Sequence, residues 1–259
     1  MPHISFSELK NWNFCPFYHK LVHIDKLKGF EGNEYTAFGS AIHKACEVAV
    51  VDDKADLREE FLKSFLDEIK SIGCDNKKLL KEMKQQGEEI LPQILPALDD
   101  YFGTYEVLSV EERLYEPIME FVEKETKFKG FIDLVVKTED GKIHIIDWKT
   151  CSWGWDSKKK ADPMITYQLT FYKHYYAKKH NVEPDNIETH FALLKRTAKK
   201  NRVEIFRVTS GKRRTENAIN LLIRALKNIE GKTCIKNRLS CKNRYGYCEF
   251  YKTEHCSSW

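Results

Sequence analysis

The chain has no apolar run near the roughly 20 residues that a bilayer-spanning helix needs, and no basic stretch followed by an apolar one between Met1 and Lys10. Neither a membrane span nor a secretory signal is therefore expected, and the chain reads as cytoplasmic. It has no G-x-x-x-x-G-K-[ST] motif, so a nucleotide-driven motor of that type is excluded. It also lacks internal repeats and low-complexity linkers. Charge of one sign is scarce: 43 Lys and Arg against 39 Asp and Glu leave a net +4, so local clusters must carry any electrostatic argument.

What is present is ordinary for a globular protein. The 259 residues, 42% hydrophobic and 32% charged, can bury a substantial core as one large domain or a core with appendages. The eight cysteines, in a reducing compartment, point to metal binding or redox chemistry rather than disulfides.

Periodicity predicts helices first. A capping box at Ser5 and Glu8 opens one running to about His19. Others span Thr36–Val51, Asp56–Lys70 and Lys77–Tyr101, the last interrupted near Pro92 and Pro96. Strands are predicted at Val107–Glu111, Ile118–Glu123, Phe128–Lys137 and Lys142–Thr150, the last two joined by a turn at Glu139-Asp140-Gly141. A helix at Pro163–His180, strands at Glu188–Leu194 and Arg202–Val208, and a helix at Lys212–Ile229 follow. The tail from Gly231 is short of aliphatics and rich in cysteine and aromatics. This order implies an α/β fold with a mixed sheet, a helical amino-terminal part (residues 1–103), a core (104–230) and a cysteine-rich tail (231–259).

Asp133 sits in the apolar strand Phe131–Val136, and the next strand ends in Asp147-Trp148-Lys149. Side chains alternate along a strand, so Asp147 and Lys149 share a face, and a hairpin brings Asp133 to it. Two carboxylates so placed repel each other, and a bound Mg²⁺ or Mn²⁺ relieves that cost. Such an ion polarises a phosphoryl oxygen and lowers the pKa of a bound water, while Lys149 orients the water and neutralises growing charge. The Trp148 carbonyl is a further ligand candidate. D-x-K alone is a common tripeptide, and edge acids beside a solvated lysine would read the same way.

The surroundings decide between the two. Gly130-x-Ile132-Asp133 followed by Asp147-Trp148-Lys149-Thr150 resembles the central motifs of the PD-(D/E)XK nucleases, specifically the RecB-like branch. Gly39-Ser40-Ala41-Ile42-His43 resembles that branch's G-x-x-x-H helix, and Gln168 through Tyr172 its Q-x-x-x-Y helix. Ser7-Glu8-Leu9 through Cys15-Pro16 resembles its opening stretch. The resemblance implies a restriction-endonuclease-like fold with a mixed central sheet flanked by helices. It implies metal ligands at His43, Asp133, Asp147 and the Trp148 carbonyl, Lys149 in catalysis, and Gln168 and Tyr172 beside the substrate. A further acid is expected on the first strand, where Glu111 fits the family position better than Glu112. Apart from the family, a lone helical histidine is more often a satisfied packing residue, and Gln168 and Tyr172 form one polar helix edge.

Cys15 lies early, and Cys241, Cys248 and Cys256 lie late. Members of the branch, including AddB-type and CRISPR-associated exonucleases, hold a [4Fe–4S] cluster with one early and three late cysteines. The resemblance implies that Cys15 pins the amino terminus to the tail through such a cluster. The late spacing is wider here than the family's C-x2-C-x5-C. Cys234 and His255 are alternative ligands, and structural Zn²⁺ is the rival metal.

Lys195-Arg196, Lys199-Lys200, Lys158–Lys160 and Lys212-Arg213-Arg214 are basic clusters downstream of the D-x-K strand. They suit phosphate backbones, and Trp153 and Trp155 could stack on unpaired bases. Each alone also fits a solvated face or packed tryptophans. Together the features predict a metal-dependent deoxyribonuclease, an exonuclease acting on single-stranded DNA or DNA ends in recombination, repair or replication, with a helicase or recombination partner. The alternatives are a structure-specific endonuclease of the same fold, an inactive DNA-binding module and, more distantly, a zinc-stabilised adaptor.

Overall fold

The computed structural model describes residues 2–243 and 246–257. The chain runs through β1 (His3–Ser5), α1 (Phe6–Phe14), α2 (Pro16–His19), a π-helical turn (Lys20–Ile24), α3 (Glu34–Val51), α4 (Leu57–Ile72) and α5 (Lys77–Ile90). After a 3-10 turn (Leu91–Gln93) come α6 (Ile94–Phe102), β2 (Tyr105–Pro117), β3 (Lys127–Thr138), β4 (Ile143–Cys151), α7 (Ser157–Ala161) and α8 (Pro163–His180). Another 3-10 turn (Pro184–Asn186) leads to β5 (Ile187–Lys195), β6 (Val203–Val208) and α9 (Lys212–Glu230). The tail holds a last 3-10 turn (Arg238–Ser240) and the short strands β7 (Lys242–Asn243) and β8 (Gly246–Tyr247). Two compact units share the chain: Met1–Glu31, Tyr115–Gly130 and Lys212–Trp259 form one, and Gly32–Leu114 with Phe131–Gly211 the other.

The second unit has the α/β architecture that the order of elements implied. β3 pairs antiparallel with β4, β4 parallel with β5, and β5 antiparallel with β6, while β2 also pairs with β3. A parallel pair cannot be joined by a tight turn, and α7 and α8 supply the crossover from β4 to β5. The central position of β4 explains its composition: Ile145, Ile146, Asp147 and Trp148 are all buried. Leu134, Val136, Ile146, Trp148, Ala192 and Leu194 pack into one core with α3, α4, α5 and α6. Asp147 and Lys149 alternate with these residues and belong to the other face, where α8 contacts β4 and β5.

The helices of this unit follow their local signals. Asn33 caps α3 with a reciprocal capping box to Thr36, so the helix starts ahead of the predicted Thr36. Its buried stripe is Ala37, Phe38, Ala41, Ile42, Ala45, Cys46 and Ala49, mostly small residues that bring the helix close to the sheet. A Cβ on Gly39 would lie 3.5 Å from Thr150 Oγ1 of β4. α5 approaches α4 more tightly still, because a Cβ on Gly87 would stand 2.2 Å from the Phe61 ring.

In the first unit β1 runs parallel to the opening of β3, with Ile4 opposite Phe128. Ser5 caps α1 by accepting the Glu8 N–H at 3.1 Å. Glu8 does not complete the predicted box: its carboxylate meets His19 Nε2 at 2.9 Å. The predicted strand at Ile118–Glu123 is absent, and the chain turns there with the Phe121 N–H donating to the Ile118 carbonyl. Ile118 and Phe121 are buried anchors of that turn, which explains the strand-like apolar pattern.

Candidate active site

The β3–β4 ladder ends at Leu134–Ile146. One step further along the same register, Asp133 stands opposite Asp147, and Asp133 Oδ2 accepts the Trp148 N–H at 2.7 Å. The acid pair thus sits where the two strands part. The side chain of Asp147 is 1% exposed and that of Asp133 12%. Lys149 Nζ lies against Asp147 Oδ2 in an ion pair.

The electrostatics follow from this crowding. Burial pushes the Asp133 carboxyl well above the ordinary carboxylate range, Asp147 adds to the shift, and Lys149 with the Trp148 N–H opposes it. Asp147 is raised by burial and held down by Lys149. His43, on α3, places Nδ1 3.7 Å from Asp133 Oδ2. Burial and then the Lys149 charge lower its pKa to about 3, against a hydrogen bond with the Trp148 main chain, so its imidazole is neutral. A neutral imidazole, two carboxylates and a nearby main-chain carbonyl form a donor set that fits a hard divalent cation.

Glu111 and Glu112 have different surroundings. The inward positions of β2 shift phase near Val110, and Glu111 has a left-handed φ of 50°. That is the signature of a bulge, at a conformational cost of about 1–2 kcal/mol for a residue other than glycine. Glu111 then feels Glu47, Lys44 and Asp147, and burial followed by Glu47 raises its pKa. Glu112 is occupied elsewhere, accepting from Lys179 Nζ at 2.8 Å and lying against His180 and Ser109. From α8, Gln168 Nε2 donates to Tyr172 Oη at 2.9 Å. Burial and then the Asp147 charge hold that phenol far above its ordinary pKa, which puts the tyrosine beside the acids in its neutral form.

The basic and aromatic residues divide by availability. Lys199, Lys200 and Trp153 are exposed. Lys195 is buried and paired with Glu204 at 3.0 Å. Arg196 stacks over Tyr35, 4.7 Å from the ring centroid, and donates to Gln86 at 3.2 Å. Trp155 packs its edge against Phe191 and Phe206 and has Lys159 over its ring, so it offers no free face comparable to that of Trp153.

In the first unit, Cys15, Cys241, Cys248 and Cys256 all line one cavity of about 520 Å³, with Phe14, Phe17, Tyr18 and Phe250 among its walls. All four are free thiols. Cys234 and His255 do not line it. Burial raises Cys248 and Cys256, and neighbouring cysteines raise both further. The tail is tied to α1 and α2 by Asn237 Nδ2 donating to the Phe14 carbonyl at 2.9 Å, Tyr18 Oη to Glu249 at 2.9 Å and the Phe17 N–H to the Ile235 carbonyl at 3.2 Å.

Two features had no warning in the sequence. Glu47 stands next to Glu111, one helical turn beyond His43. His144, Glu188 and His190 converge, with ligand atoms all within 4.8 Å of one another. The second group depends on the β4–β5 register, where His144 faces Glu188, and no sequence motif encodes a register.

None of the curated proteins compared is significantly similar in sequence. Among solved structures, the chain is similar to one described as a "Putative exonuclease" from Eubacterium rectale, at 16% identity and a TM-score of 0.60, over 91% of this chain and 84% of that one. SSO0001 is similar at 13% identity and a TM-score of 0.41, over 90% and 82% of the respective chains. A profile of the PD-(D/E)XK nuclease superfamily matches residues 3–253, nearly the whole chain, and the protein belongs to that superfamily.

Proposed function

We propose that this nuclease is a metal-dependent deoxyribonuclease of the RecB-like branch, acting as an exonuclease on single-stranded DNA or DNA ends. The observation that carries the reading is the opposed pair Asp133 and Asp147, buried, mutually repelling, and supplied with one ammonium for two carboxylates. His43, Asp133, Asp147 and the Trp148 carbonyl would hold Mg²⁺ or Mn²⁺. When bound, such an ion supplies positive charge to the phosphoryl oxygens and to the attacking water. Lys149 Nζ then orients that water and offsets charge on the non-bridging oxygens as the phosphorus–oxygen bond breaks. Gln168 and Tyr172, coupled by their hydrogen bond, would position the strand, and Glu111 would stand beside the acids as a further carboxylate.

Exposed Lys199, Lys200 and Trp153 are the best-placed contacts for phosphate and unpaired bases. Lys195, Arg196 and Trp155 would support that surface from beneath, since each is engaged within the protein. The exonuclease reading rests on the ordered motif set and agrees with the description of the Eubacterium rectale protein.

The cysteine cavity supports a [4Fe–4S] cluster. A single tetrahedral Zn²⁺, held by thiolates at about 2.3 Å, is the rival occupant of the same four cysteines. Four cysteine thiolates around one cavity of about 520 Å³ suit a polynuclear cluster. Its role here would be to fasten tail to amino terminus.

The test compares linear with closed circular single-stranded DNA in Mn²⁺. Degradation of the linear form alone, abolished by Asp147→Asn, supports the proposal. Cutting of the circle indicates an endonuclease, and DNA binding without cleavage by the native protein indicates an inactive binding module.

A further inference from the structure

The convergence of His144, Glu188 and His190 lies apart from the acid pair. His144 and Asp147 are three residues apart on β4 and so point to opposite faces of the sheet. His144 Nδ1 is 3.0 Å from His190 Nε2 and 3.9 Å from Glu188 Oε2. Ligand atoms around a tetrahedral Zn²⁺, each about 2.0–2.1 Å from the ion, stand about 3.3 Å apart. These two separations bracket that value, and all three ligand atoms lie within 4.8 Å of one another, so side-chain adjustment completes the geometry.

The surroundings are those of a built site. His144 Nε2 meets Thr138 Oγ1 at 3.0 Å, which fixes the ring and leaves Nδ1 for the cluster. Glu188 Oε1 forms an ion pair with Arg207 Nη2 at 3.0 Å, leaving Oε2 facing the histidines. The rings of Phe102 and Tyr101 wall the pair, with Phe102 4.9 Å from His144 and 5.1 Å from His190. His190 is 1% exposed, and its Nδ1 has no hydrogen-bond partner among the described residues. A cavity of about 570 Å³ opens beside the cluster, lined by Asp140, Glu188 and Arg207 among others.

We infer that His144, His190 and Glu188 bind one divalent cation of the zinc class, with three protein ligands and the fourth position facing the cavity. The site is separate from the nuclease centre and does not depend on it. The bound ion joins the starts of β4 and β5 beneath α6.

Cobalt(II) titration of the full chain, stripped with chelator, tests this. A tetrahedral His₂Glu site shows strong visible absorption without sulfur charge transfer, which marks cobalt at the cysteines. The native protein should show that absorption and lose it on adding Zn²⁺. Asp147→Asn should retain it, while Glu188→Gln should weaken binding at least tenfold and His190→Gln abolish it. Glu188 is partly exposed, so its variant remains decisive if the buried histidine variant does not fold. Absence of the absorption from the native protein, or equal affinity in Glu188→Gln, overturns the proposal and leaves a Thr138–His144–His190 hydrogen-bond chain.

Discussion

Asp133→Asn should make the metal-free protein more stable while disabling it. A carboxyl held above its unfolded pKa penalises the fold: stability is greatest below the unfolded value near 4, falls as pH rises toward the folded value, and stays reduced above it. Asp133 is in that condition because of burial first and Asp147 second. Each unit of the shift corresponds to about 1.4 kcal/mol, and the neutral amide removes the penalty. Against this, the Trp148 N–H, which donates to Asp133 Oδ2 at 2.7 Å, exchanges a charged acceptor for a neutral one at a cost of about 1 kcal/mol.

Removal of the burial penalty should outweigh that loss at pH 8, so Tm should rise, by about 2–4 °C for each kcal/mol of net gain in a chain of this size. The gain should shrink toward pH 4. Saturating Mn²⁺ should reverse the order, because an ion at 100 times its Kd stabilises the native protein by about 2.7 kcal/mol and the variant would lack that ligand. Comparing the two proteins cancels any ion bound elsewhere. Thermal melts in EDTA and in Mn²⁺, at pH 5 and pH 8, give all four values. Equal melting temperatures in EDTA at pH 8, or equal stabilisation of both proteins by Mn²⁺, would refute the reasoning.

Three further outcomes follow from particular contacts. Gly87→Ala should destabilise by about 1–3 kcal/mol in urea denaturation despite the better helix former, since the new methyl meets Phe61 at 2.2 Å, and Phe61→Leu in the same chain should recover part of the loss. Glu111→Gln should lower the cleavage rate while Glu112→Gln leaves it near the native value, because Glu111 feels the Asp147 charge and Glu112 is held by Lys179; equal rates for the two variants would contradict the reasoning. Anaerobically purified protein should contain about four iron atoms per chain if the cysteine cavity holds a cubane, with iron lost in Cys241→Ser; zinc in its place would transfer the cavity to the rival metal.

How far the sequence could be read depended on whether each signal was local. Helices such as α8, delimited by Asp162 and Asn181, were predicted end to end because their caps are encoded beside them. The D-x-K strand was legible because alternation alone places Asp147 and Lys149 on one face. Ile118–Glu123 misled because buried anchors of a turn copy a strand's apolar pattern. The bulge in β2 that sets the environments of Glu111 and Glu112 is a backbone event that glutamate does not advertise. His144 and His190 were invisible for another reason: only the parallel register of two distant strands brings them together. Lys195 and Trp155 read as surface groups by type, and their packing partners, Glu204 and Phe191, come from other strands.

The central claim is that the acids and Lys149 form a working phosphodiesterase centre. The most direct test is cleavage of end-labelled single-stranded DNA by the native protein and by Lys149→Ala, in Mn²⁺ and in EDTA. The account predicts cutting by the native protein in Mn²⁺ only, and a rate about 10²–10⁴-fold lower for the variant with DNA binding retained. Cutting by Lys149→Ala at the native rate, or native cutting that persists in EDTA, would contradict it.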